Sequence, residues 1–126
     1  MEEIFSGTWS SSFGLVHRTK ILETFPKNDD KIKVSPLFAY DDFLQFDIFI
    51  VELLPGCDHL SPPHQKKVVE HGVVVLGEME VLVEGMWHLM KQHEGLRFNV
   101  DIPYEYLNLG EDIAVFNAML HCNYAL

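Results

Sequence analysis

Basic residues are scarce in this chain: 9 lysines and arginines stand against 19 aspartates and glutamates, a formal net charge of −10. Phosphate contacts dominate nucleic-acid affinity, so this balance excludes direct DNA or RNA binding by the chain's own surface, and it disfavours an anionic membrane. Cysteines number 2, Cys57 and Cys122, too few for the disulfide framework of a small secreted scaffold, and free thiols are the cytosolic default. No apolar run approaches the roughly 18 residues needed to span a bilayer. The start, MEEIFSGTWSSS, is acidic and lacks the basic opening and apolar core of a secretory leader. A cytoplasmic protein with no membrane contact is the expectation. Helical periodicity is also missing, and with it any basic recognition helix, so no DNA-binding domain is expected within the chain. No glycine-rich phosphate loop, serine-nucleophile motif or Cys–His zinc spacing is present.

What remains is one domain of 126 residues, with an ordinary 48% apolar and 22% charged composition. Residues 1–12 read as an N-terminal arm and residues 13–124 as the body. Within it, β-branched and aromatic residues cluster in short segments at period two, separated by turn residues. The spacing predicts strands over residues 13–23, 31–38, 43–54, 73–76, 78–83, 86–89, 96–100, 104–107 and 113–122. Pro36 argues for an edge position or a bulge in the second of them. Turns are expected at Pro55-Gly56, at Glu84-Gly85 and over residues 108–111. This is an all-β pattern, a sandwich or barrel.

Residues 55–85 are the organising stretch. Gly56 is followed by CDHLS, then Pro62-x-His64, then five residues to Glu70 and six to Gly77. Farther on, Pro103-Tyr104 precedes Asn108 by the spacing Pro-Tyr-x-x-x-Asn. These two segments resemble the first and second motifs of the cupin family. The resemblance implies a double-stranded β-helix or jelly-roll barrel with a pocket in its mouth. The runs PLFAYDDFLQF, VVEHGVVVLGEMEVLVEGMWHL, EGLRFNVDIPYEYLN and AVFNAMLH are similar to the C-terminal cupin of bacterial regulators that join an XRE-type helix-turn-helix domain to a cupin sensor.

In cupins that hold Fe, Mn, Ni or Zn, the ligands come from two His and a Glu of the first motif and a His of the second. The corresponding positions here are Pro62, His64, Glu70 and Tyr104. Proline has no donor and a tyrosine oxygen is an uncommon ligand for these metals, so no metal cofactor is expected. Were one held, His64 and Glu70 would hold it. The candidate ligand-binding residues are instead His64, Glu70, Tyr104, Tyr106 and His121. Tyr104 and Tyr106 share one strand face by the period-two rule, and His121 sits in the final strand, which family geometry places against the pocket. His71 follows Glu70 directly and should face away from it. His59 reads as a solvated loop residue, with a swing into the pocket to replace a lost ligand as the alternative. No catalytic residue is identifiable. The resemblance implies a small-molecule-sensing domain, alone or as part of a regulator, with a metal-dependent isomerase or dioxygenase as the alternative. A homodimer is expected, because the N-terminal arm and the Phe-rich stretch around Phe43, Phe46 and Phe49 carry more apolar surface than one small barrel buries. Burial of Glu70 would favour a ligand with a hydrogen-bond donor or a positive charge, while a protonated His64 would favour an anion.

Overall fold

A computed structural model describes residues 16–26, 31–62 and 67–122. Among them the period-two segments become ten strands and no helix. These are β1 (Phe25–Pro26), β2 (Ile32–Asp41), β3 (Phe46–Leu53), β4 (Asp58–Ser61), β5 (Val68–Leu76), β6 (Met79–Val83), β7 (Met86–Met90), β8 (Gly95–Asn99), β9 (Tyr104–Leu107) and β10 (Ala114–Cys122). They form two antiparallel sheets, one in the order β1-β2-β3-β10-β5-β8 and the other in the order β4-β9-β6-β7. Such sheets bury one face each by packing against one another.

Parity decides what fills the space between them. From the larger sheet come Val51 and Leu53 of β3, Val68 and Val74 of β5, and Phe116 and Ala118 of β10, all buried. The smaller sheet answers with Met79, Val81 and Val83 of β6 and with Tyr104 and Tyr106 of β9. Strand β10 lies between β3 and β5, pairing Leu120 with Asp47 on one side and with Glu70 on the other. That register aligns three inward side chains in one row.

Several element boundaries differ from the sequence reading. Residues 16–24 form no strand, and residues 13–15 and the arm at 1–12 lie outside the described residues. Val16 and Leu22 are 77% and 81% exposed, so a strand there would bury nothing in return for ordering the backbone. Pairing starts only at Phe25 and Pro26, opposite Val34 and Lys33. Strand β2 continues past Phe38 to Asp41, whose Oδ1 accepts bonds from the Phe43 and Leu44 amides at 2.7 and 3.3 Å. This Asx-type turn delays β3 to Phe46. The β2–β3 register shifts between Pro36 and Phe38, so of the two expectations for the proline, an edge position or a bulge, the bulge is the one found.

At one end of the barrel, Asn108 is fully buried as a backbone staple. Its Nδ2 donates to the Leu53 and Asp112 carbonyls at 2.9 Å each, and its Oδ1 accepts from the Gly110 amide at 3.0 Å. Beside it, Gly77 holds φ +74°, and a Cβ there would stand 2.5 Å from the Ile113 carbonyl oxygen. At Glu84-Gly85, φ values of 53° and 76° give a two-residue turn with open space around Gly85. Gly77→Ala should therefore destabilise the fold by about 2–4 kcal/mol, through steric overlap added to backbone strain, and Gly85→Ala by only about 1 kcal/mol. Urea denaturation of the two variants checks this, and equal losses would refute the clash.

Candidate functional site

Between the β2–β3 side of the larger sheet and β4–β9 of the smaller one lies a cavity of about 420 Å³. Glu70, Tyr104, Tyr106, Ser61, His59 and Phe49 stand among its walls. Glu70 takes the inward position of β5 between Val68 and Gly72. Tyr104 and Tyr106 share the inward face of β9, and Ser61 sits opposite Tyr104 across the β4–β9 ladder.

One polar contact crosses from sheet to sheet. The Tyr106 hydroxyl donates to Glu70 Oε2 at 2.6 Å, a short hydrogen bond. The Tyr104 hydroxyl lies within hydrogen-bonding reach of the Tyr106 and Ser61 hydroxyls. Tyr106 commits its single proton to Glu70, so towards Tyr104 its oxygen can only accept. The rings are locked edge to face: Phe98 on Tyr104 at 5.3 Å, Tyr104 on Tyr106 at 5.4 Å, and Tyr106 on Phe116 at 5.1 Å. Each such pair contributes roughly 0.5–1.5 kcal/mol beyond area burial, so the hydroxyls stand on a stiff platform. His59 lies over Tyr106 with ring centroids 6.5 Å apart.

Glu70 is 3% exposed. Burial pushes its carboxyl up to about 7, with the Tyr106 hydrogen bond pulling partly the other way. Burial, followed by the nearby Glu70 charge, pushes Tyr104 up to about 12 and Tyr106 well above the ordinary phenol range. Both phenols are therefore fixed as neutral donors. Asp47, one strand beyond Leu120 on the same inward face, is pushed up to about 6 by burial, and its Oδ1 is buried without a hydrogen-bond partner.

Of the residues singled out from sequence, Glu70, Tyr104 and Tyr106 meet at the cavity. His64 lies outside the described residues. His121 does not reach the site: it follows Leu120 on β10, so the pleat turns it outward, and it is exposed. His71 faces outward, opposite Arg97 and Met119 in the neighbouring strands. His59 belongs to β4 rather than a loop, and it is half-buried at the cavity wall instead of solvated. Sequence reasoning missed Ser61 and Asp47. Asp47 did carry a signal, since it is the lone acid at the same parity as Phe49, Val51 and Leu53.

The donor set does not make a metal site among the described residues. Pro62 offers no donor, the Tyr104 phenol is held protonated, Glu70 is engaged by Tyr106, and no three His, Cys, Asp or Glu side chains converge. A larger depression of about 590 Å³ lies near Asn108, against Gly77, Lys91 and Glu111. The only buried polar side chain there is Asn108, already satisfied by the backbone, so the smaller cavity is the better site candidate.

Two facing antiparallel sheets with an inward carboxylate on the motif strand define a cupin-type jelly roll. The chain is 36% identical, with a TM-score of 0.71, to the crystal structure of the Cupin_2 domain of an XRE family transcriptional regulator from Enterobacter cloacae, over 74% of this chain and 98% of that one. It is also 36% identical over 88 residues to the HTH-type transcriptional regulator SutR of Escherichia coli, covering 70% of this chain and 49% of SutR. The chain thus spans about half the length of that curated relative. At 16% identity and a TM-score of 0.64, the fold alone is shared with a predicted oxalate decarboxylase from Thermotoga maritima, over 73% of this chain and 81% of that one. No family model matches the chain. The chain belongs to the cupin family, in the branch related to the cupin domains of XRE-type regulators. No helix among the described residues is long and apolar enough to cross a membrane.

The raised Glu70 carboxyl makes stability depend on pH in a definite sense. The folded chain binds this proton more tightly than the unfolded chain, so the contribution is fully present below pH 4.5 and is lost as pH rises through about 7. The full span corresponds to roughly 3 kcal/mol. Glu70→Gln keeps an acceptor for Tyr106 but cannot ionise. Its stability relative to wild type should rise by roughly 2–3 kcal/mol between pH 4.5 and pH 8, as read by urea denaturation. Parallel pH–stability curves for the two proteins would show that Glu70 is not held in its neutral form.

Proposed function

We propose that the chain is a small-molecule-sensing cupin domain, either the effector-binding part of a bacterial transcriptional regulator or a freestanding relative of one. The observation that carries this reading is the cavity of about 420 Å³ in which the hydrogen-bonded pair Glu70 and Tyr106, with Tyr104, Ser61 and His59, stands in a largely apolar lining. Its size falls in the range of small-ligand sites, with few and convergent polar groups. Kinship with regulator cupins supports a sensing role over a catalytic one, and the described donor set lacks the metal chemistry that cupin enzymes use. An effector seated here would bias the arrangement of the domains or copies to which the barrel is attached, with a coupling of about 1–3 kcal/mol. DNA contact would fall to a helix-turn-helix segment rather than to this acidic barrel, and the setting is cytoplasmic. Copies pair as a homodimer, a reading supported by the apolar outer face of the larger sheet, where Val73 and Val75 are 43% and 38% exposed. Sedimentation velocity at tens of micromolar should give the dimer mass, and a monomer throughout would end that part of the reading.

A thermal-shift screen of small metabolites tests the site. A ligand at 100 times its dissociation constant should add about 2.7 kcal/mol, or about 10 °C, to the wild type. The same compound should give clearly smaller shifts with Glu70→Gln and Tyr104→Phe. Equal shifts in all three proteins would place the binding site elsewhere.

A further inference from the structure

Among the described residues the formal charge of the cavity is one-sided. Glu70 is its carboxylate, and no lysine or arginine stands among its described walls. Among the described residues, Tyr104 and Tyr106 from β9 and His59 and Ser61 from β4 share the cavity with Glu70, and Leu120 from β10 and Phe98 from β8 flank it across the strands. None carries a fixed positive charge. Asp47 adds a second carboxyl on the same inward face, across Leu120, with its Oδ1 buried and without a hydrogen-bond partner. Other carboxylates, such as Glu78 and Glu84, lie at the surface, where water screens them. Glu70 is removed from water, with the Tyr106 phenol as its hydrogen-bond donor.

Three ligand classes can be weighed against that environment. An anion would bring a further negative charge beside the Glu70 carboxyl in a desolvated space. A neutral molecule would leave Glu70 as it stands. A cation would give the buried carboxylate its counter-ion, and the Tyr104, Tyr106 and Phe49 rings would offer π faces to the same charge. Resting on the reading of this cavity as an effector site, we propose that its occupant is a small organic ammonium with an apolar body, held by Glu70 as counter-ion against the aromatic walls. The apolar body fits the remaining lining, where Val51, Ala118 and Leu120 present hydrocarbon.

The test uses three probes of one shape and different heads: benzylammonium, benzyl alcohol and benzoate. Each is titrated at 0.15 M salt into the wild type, Glu70→Gln and Glu84→Gln, following the Ala118 and Leu120 methyl resonances. Glu84 lies on the exposed hairpin turn, so its substitution removes one charge from the net −10 without touching the cavity. Benzylammonium should bind the wild type at least about tenfold more tightly than benzyl alcohol, with benzoate weakest. Glu70→Gln should erase that preference and Glu84→Gln should keep it. Benzyl alcohol or benzoate binding as tightly as benzylammonium would overturn the assignment, as would a preference that survives Glu70→Gln. If benzyl alcohol still moves the cavity methyls in that case, the effector-site reading stands without the cation. If no probe moves them, the cation assignment falls, and the metabolite screen decides the effector site independently. Should Glu70→Gln fail to fold, the ranking of the three probes on the wild type decides alone.

Discussion

The hydrogen bond from Tyr106 to Glu70 ties the two sheets together at the one place where a carboxylate has been carried inside. A carboxyl moved from water into a packed interior loses several kcal/mol of hydration, and one short bond from a neutral phenol recovers only part of that. The rest of the arrangement follows from this imbalance. The carboxyl shifts toward its neutral form, and both tyrosines are fixed as donors. The aromatic packing around them becomes stiff because the hydroxyl positions cannot be relaxed without breaking the bond. A less polar barrel of this size would be a more stable one, so the persistence of a half-satisfied acid marks this region as the place where stability has been given up.

The two ends of the barrel are built on opposite terms. Around Asn108 and Gly77, side-chain amide and glycine backbone close the structure, with every Asn108 polar atom satisfied. Around Glu70, the walls leave space, and the polar groups point into it. In metal-holding cupins the position of Glu70 supplies a ligand. Here a phenol on the facing sheet takes up one of its oxygens, while Pro62 and Tyr104 stand where imidazoles would.

Much of the architecture was legible in the chain. Period-two patterning and turn residues determined an all-β fold, most strand positions, the Pro36 bulge and the Glu84-Gly85 hairpin, because these depend on local sterics and on alternation alone. The same parity determined that Tyr104 and Tyr106 share a face and that Glu70 and His71 do not. What escaped was the information that lives between strands. His121 was placed at the pocket by its strand, but a one-residue step on a pleat reverses a side chain, and the inward parity of β10 is decided by Phe116 and Ala118 packing against the other sheet. The segment Asp58–Ser61 is too short to announce itself as a strand, and only its ladder with β9 brings His59 and Ser61 to the cavity. Residues 16–24 had strand-like composition, yet apolar content builds a strand only where a neighbour offers hydrogen bonds and a face to cover. The sequence by itself determined which residues alternate. The tertiary structure decided which side of each alternation is inside, and whether an inward acid such as Glu70 or Asp47 meets a partner there, because burial and cross-strand register are properties of two segments and never of one.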